Sequence, residues 1–172
     1  MGSAAPWARI VGAAVLALAP LGAHGQSGAW VARRLPWYGL PNRELIGSAP
    51  TPVVALPAKA GLCGALSDLI DPFAAYGPVV LQVRLRVDSG TATISVRAQD
   101  GERLLSRPRT LAAKDGEATV YVSLEPGQGP RVIALCAADS DAGGEVEVLS
   151  VAAARADGIG ADDLARVNLG RL

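Results

Sequence analysis

Val79-Val80-Leu81-Gln82-Val83-Arg84-Leu85-Arg86-Val87-Asp88-Ser89-Gly90-Thr91-Ala92-Thr93-Ile94-Ser95-Val96-Arg97-Ala98-Gln99-Asp100-Gly101 is the stretch that decides the fold. Successive side chains of a strand point to opposite faces, so alternation marks a strand with one buried side. Val79, Leu81, Val83, Leu85 and Val87 fall on one side, Gln82, Arg84 and Arg86 on the other. Asp88-Ser89-Gly90 supplies a turn, since glycine accepts a positive φ at no steric cost. Ala92, Ile94, Val96 and Ala98 repeat the inward set, with Thr91, Thr93, Ser95 and Arg97 outward, and Asp100-Gly101 is a second hairpin signal.

Working outward, Ala118, Val120, Val122 and Leu124 alternate with Thr119, Tyr121 and Ser123 up to Glu125-Pro126-Gly127. Arg131 to Ala137 is apolar almost throughout, the pattern of a strand covered on both faces. Val146, Val148 and Val151 belong to a last strand. Strands at this spacing, with no helical period between them, predict an all-β antiparallel β-sandwich with one or two short peripheral helices. Leu62, Leu66, Leu69, Ile70 and Phe73 follow helical spacing, so Gly61 to Ile70 is expected to form one or two helical turns.

These strands and turns resemble the galactose-binding-like jelly-roll domains. The residues that carry the resemblance are Leu81-Gln82-Val83-Arg84-Leu85, Ser89-Gly90, Ile94-Ser95-Val96, Asp100-Gly101 and the closing Val146-Glu147-Val148-Leu149-Ser150-Val151. The resemblance implies a jelly roll. It supplies no sugar-binding motif residue by residue, and the family includes members that bind carbohydrate and others that do not.

Arg9 precedes an apolar run, Ile10 to Ala19, and Ala23-His24-Gly25 has small residues at both recognition positions of a cleavage site. Residues 1–25 therefore read as a signal peptide cut before Gln26, and the product as exported, periplasmic or extracellular, with no stable membrane insertion. Residues 26–57 read as an irregular Pro-rich segment packing on the sandwich, 58–155 as the sandwich, and 156–172 as a tail in which Asp162, Asp163 and Arg166 suit the two ends of a short helix. Glu44 to Ile46 and Val53 to Leu56 are candidate edge strands.

His24 is the one histidine and Met1 the one methionine of the chain. A product cut before Gln26 has neither, which removes Ser-His-Asp and Cys-His catalysis, the usual histidine metal sites and a histidine pH switch. The formal net charge is zero, which gives no reason to expect nucleic acid as a partner. Acids are plentiful but lie in predicted turns with nothing to pair them for glycosidase work, so the chain reads as no enzyme and as needing no cofactor. Asp139 to Glu145 looks like an acidic calcium loop, but Gly143 and Ser150 stand where ligands belong; an acidic hairpin turn accounts for the residues equally, and no metal is assigned.

Cys63 and Cys136 are the only cysteines, and an oxidising destination predicts that they form a disulfide, the alternative being two small buried apolar residues. Two ligand-binding candidates stand against blander readings. Trp37 and Tyr38, between Pro36 and Pro41, are either a platform for a sugar ring or a pin for the N-terminal segment. Arg84, Arg86, Arg97 and Tyr121 are either an anionic-glycan patch or an ordinary solvated face. Two functions remain open: a secreted module binding carbohydrate or polysaccharide, and an assembly component of the cell envelope acting through a protein partner.

Overall fold

The computed structural model describes residues 30–50, 52–138, 143–160, 165 and 169. The leader and its His24, Asp139 to Asp141 of the acidic turn, and Asp162, Asp163 and Arg166 of the tail lie outside the described residues. The strands in chain order are β1 (Val31–Ala32), β2 (Pro36–Gly39), β3 (Glu44–Ser48), β4 (Val53–Leu56), β5 (Cys63–Ser67), β6 (Val79–Ser89), β7 (Thr91–Ala98), β8 (Arg109–Ala112), β9 (Glu117–Leu124), β10 (Arg131–Ala137) and β11 (Gly144–Arg155).

They form two antiparallel sheets. The first runs β4-β11-β6-β9, with β1 also on β11; the second runs β3-β2-β5-β10-β7-β8. From β4 onward the strands enter the two sheets in the order of a jelly roll, β4-β11-β6-β9 facing β5-β10-β7-β8, as the family resemblance implies. The inward sets read from the alternation meet between the sheets: Leu81, Val83, Leu85, Val120, Val122 and Leu124 from one, Ile94, Val96, Ile133 and Leu135 from the other. Removing each such side chain from water contributes about 1.5–3 kcal/mol.

Three local features shape the sheets. Gly90, at φ 74°, turns the chain between β6 and β7, which belong to different sheets. In β11 the register slips between Val148 and Ser150; this bulge lets Val146, Val148 and Val151 all face the core although their numbers differ in parity. β10 is buried along its whole length, its inner face in the main core and Val132, Ala134 and Cys136 in a second apolar cluster on the outside with Leu66.

Residues 61–70 correct the helical expectation. Cys63–Ser67 is strand β5, hydrogen-bonded to β2 on one side and β10 on the other. Leu66 and Leu69 join the outer apolar cluster while Ile70 and Phe73 join the main core, and this produced the helical spacing. Between Leu135 and Cys136 the pairing with β5 slips, leaving Gly64 as the extra residue beside the cross-strand pair Cys63–Cys136, which is a disulfide. Among the described residues the helical segments are short 3-10 turns, the longest Asp71–Ala74. In the stretch expected to be irregular apart from two candidate edge strands, those candidates are β3 and β4, and two further strands, β1 and β2, precede them. Sheet pairing holds this Pro-rich stretch extended, and β3 and β4 lie at sheet edges, where proline is tolerated nearby.

Arg131, at the start of β10, is nearly buried; its Nε donates to Asp71 Oδ1 at 2.8 Å and its backbone N–H to Asp71 Oδ2. One carboxylate thereby ties the 3-10 turn to the most buried strand.

Candidate functional site

The sheet order does not bring the arginine candidates together. Arg84 and Arg86 lie on β6 and face out from the first sheet; Arg97 lies on β7 and faces out from the second, on the opposite surface of the sandwich. The crossing at Gly90 is the physical cause: alternation marks both sets as facing solvent, but the turn changes sheets, so the two outward sets lie on opposite surfaces. Tyr121, on β9, stays with β6 and sits opposite Gln82, whose amide donates to the phenol oxygen at 3.3 Å. Trp30 packs its ring against Tyr121 at 5.9 Å between centroids, tilted by 51°.

The two arginines of the first sheet are already committed. Arg84 donates to Glu117 at 2.6 Å, and Arg86 to Asp88 at 2.8 Å and to Glu147. The hydrogen bond to Asp88, with the charges of Asp88 and Glu147, holds the Arg86 proton above the usual guanidinium range. With Glu117, Asp88 and Glu147 beside two arginines, this face carries no excess of positive charge.

Trp37 and Tyr38 also part. Neighbours on a strand face opposite ways, and Trp37 points inward, 0% exposed within the main core. Its ring is covered by protein, which corrects the platform expectation for this residue. Tyr38 points outward from the second sheet and lines a small hollow with Arg43, Leu66 and Leu69.

The outer face of that second sheet carries a trough. Its widest part, about 750 Å³, has an apolar floor and wall from Leu40, Leu62 and Leu66 and a polar rim from Arg43, Arg97, Asp100 and Glu102. The Asp100-Gly101 turn folds down over the sheet so closely that a Cβ on Gly101 would meet Leu66 Cδ1 at 2.7 Å. Arg97 fixes this turn: Nη1 donates to the Gly101 carbonyl at 2.9 Å and Nε to Ser95 Oγ at 3.3 Å. Asp100 Oδ1 in turn accepts the Glu102 N–H at 2.9 Å. Beside this part lies a hollow of about 530 Å³ lined by Arg43, Gln99, Asp100, Arg103 and Gln128, among others, and the small hollow at Tyr38, about 150 Å³, adjoins as well. Arg43, in the left-handed region at φ 55° in the β2–β3 turn, lines all three.

Of the sequence candidates, then, Arg97 and Tyr38 belong to the trough, while Arg84, Arg86 and Tyr121 belong to the far surface. Sequence reading missed Arg43, Arg103, Leu66 and the acids of the 100–102 turn. Asp100-Gly101 was visible as a turn, but nothing in the sequence said that it folds over β5.

The fold and the trough define a jelly-roll sandwich with an open amphipathic groove across one outer face. Among solved structures, the chain is similar to an arabinose-bound α-L-arabinofuranosidase, MgGH51, at 14% identity and a TM-score of 0.43, covering 80% of this chain and 29% of that one. It is also similar to the xylan-binding module CBM15 at 12% identity and a TM-score of 0.39, covering 75% of this chain and 97% of that one. The CBM22-1 xylan-binding domain of Xyn10C from Paenibacillus barcinonensis matches at 11% identity and a TM-score of 0.35, covering 77% and 90%. The chain thus spans under a third of the arabinofuranosidase's length. No family model and no curated protein matches it.

Proposed function

We propose that the chain is an exported, non-catalytic carbohydrate-binding module that holds its ligand in the trough on the outer face of the second sheet. The observation that carries this reading is the pairing of an apolar floor with a rim of guanidinium and carboxylate groups in one open groove. A sugar ring has the matching character, with C–H faces that lose water against Leu40 and Leu62 and hydroxyls at its edge for Arg43, Asp100 and Glu102. The groove volume falls within the roughly 300–1,000 Å³ of small-molecule sites, and its open form suits a polymer that enters from the side.

Asp100 and Glu102 support binding rather than bond cleavage. Glycoside hydrolysis places carboxyl groups on both sides of the scissile bond. These two share one turn and hence one wall, and Asp100 is engaged with the backbone of Glu102. The Cys63–Cys136 disulfide agrees with an oxidising destination. Ion pairs across the outer face of the first sheet favour this reading over the envelope-assembly alternative, which calls for a large exposed apolar patch.

The test is a glycan array followed by calorimetry on the hits. Leu62→Asn is the probing variant, since Leu62 is 48% exposed and its replacement leaves the core intact. Losing that apolar contact is expected to weaken binding about tenfold, with the melting temperature unchanged. No bound glycan, or an affinity unmoved by Leu62→Asn, overturns the proposal.

A further inference from the structure

We infer that the trough selects an acidic saccharide, and that the hollow between Arg43 and Arg103 receives the carboxylate of a uronate residue. The inference rests on the carbohydrate reading above and adds the ligand's charge and the residues that read it. Among the described residues, Arg84, Arg86, Arg131 and Arg155 each hold a carboxylate within 4.0 Å, whereas Arg43, Arg97 and Arg103 hold none. Those three line the trough. Arg97 is engaged with the Gly101 carbonyl and Ser95, so Arg43 and Arg103 are the two trough arginines left to meet a ligand.

The two parts of the trough differ in charge. In the wide part Arg43 and Arg97 face Asp100 and Glu102, so positive and negative groups balance. In the adjoining hollow Arg43 and Arg103 face Asp100 alone, which leaves an excess of one positive charge. Asp100 spends Oδ1 on the Glu102 N–H. The uncharged groups there also favour an anion. Gln128 Oε1 accepts from Arg131 Nη1 and from the Glu125 N–H, which fixes the orientation of the amide and leaves its NH₂ as a donor. Gln99 brings a second amide. A planar guanidinium meets a carboxylate through two parallel hydrogen bonds, a geometry that a lone hydroxyl does not fill. Neutral parts of the oligosaccharide then lie over Leu40 and Leu62, with the acidic residue at the Arg43–Arg103 end.

Calorimetry with uronate-bearing oligosaccharides and the same oligosaccharides after carboxyl reduction tests this. The acidic form is expected to bind the wild type at least tenfold tighter at low salt, as a charged, bidentate hydrogen bond provides, with the preference shrinking as salt is added. Arg43→Gln/Arg103→Gln is expected to reduce the preference to under about threefold, the acidic form losing far more affinity than the reduced form, which keeps only a hydroxyl contact with Arg43 to lose. Arg43→Lys, which keeps the charge and loses the fork, falls between. Equal binding of acidic and reduced forms, or a preference that survives the double substitution, overturns the inference and leaves the carbohydrate reading standing. Binding of neither form overturns both.

Discussion

A methyl group on Gly64 is expected to cost the protein about 2–3 kcal/mol. An ideal Cβ at this position would lie 2.2 Å from the Ala55 carbonyl oxygen and 3.2 Å from both the Ala55 carbonyl carbon and Leu56 Cα. A carbon–oxygen contact relaxes at about 3.3–3.6 Å, so β4 has to retreat by about 1 Å. That strand has little room to do so. It is hydrogen-bonded to β11 from Val53 to Leu56, and its Val54 and Leu56 are buried. Overpacking costs about 1–3 kcal/mol and occasionally more; a backbone shift of this size belongs at the top, about 3–3.5 kcal/mol, from which the narrower unfolded ensemble of alanine takes back about 0.4–1 kcal/mol. For a chain of this length each kcal/mol moves the melting temperature by about 2–4 °C, so Gly64→Ala should lower it by about 4–12 °C. Urea unfolding followed by the fluorescence of the buried Trp37 measures the free energy directly. Gly61→Ala is the control, because its Cβ meets nothing within 4 Å and only its φ of 78° resists the substitution. A Gly64→Ala protein within about 0.5 kcal/mol of wild type would refute the close approach of β4 to the β5 bulge.

The remaining predictions concern cross-links and charges. Cys63→Ser/Cys136→Ser opens a link between positions 73 apart and is expected to lose about 4–4.5 kcal/mol in urea titration; a loss under about 1 kcal/mol contradicts the chain-entropy account. Asp71→Ala strands the nearly buried Arg131 and should cost about 3–5 kcal/mol, most of it recovered in Asp71→Ala/Arg131→Met, with both measured by the same titration. The hydrogen bond from Arg155 holds the Asp157 carboxyl below the usual aspartate range, so its contribution to stability is present above about pH 3.9 and is lost as pH falls through the lower folded value. An NMR titration should show the Asp157 midpoint below that of an unpaired aspartate and rising in Arg155→Gln.

Much of the sandwich was legible because one physical rule, alternation, governs β6, β7 and β9, and each has a polar set to contrast with its apolar one. The disulfide was legible because two cysteines in an oxidising setting leave one pairing. β5 was not, since Leu66 and Leu69 face the outer apolar cluster, Ile70 the main core and Leu62 solvent, and in sequence they imitate one helical stripe. The candidate site was half legible. Parity identified Arg97 as outward, but parity does not say which sheet a strand joins, so Arg84 and Arg86 were grouped with a residue on the opposite surface. Arg43 had no local signature at all; its importance comes from three hollows meeting at one turn, which only the packed chain creates.

The pairing of β11 with β4 and β1 has a consequence for how the molecule is made. The first sheet needs its last strand in the middle: β11 sits between β6 and the edge formed by β1 and β4. A ribosome that has delivered everything up to β10 has therefore delivered a sheet with a missing centre, in which Val54 and Leu56 have no strand to pair with. Such long-range pairing folds slowly, on the scale of milliseconds to seconds. Under the export proposed above, that delay is an asset. Premature completion is blocked by the order in which the strands arrive, and the sandwich closes only once β11 has emerged.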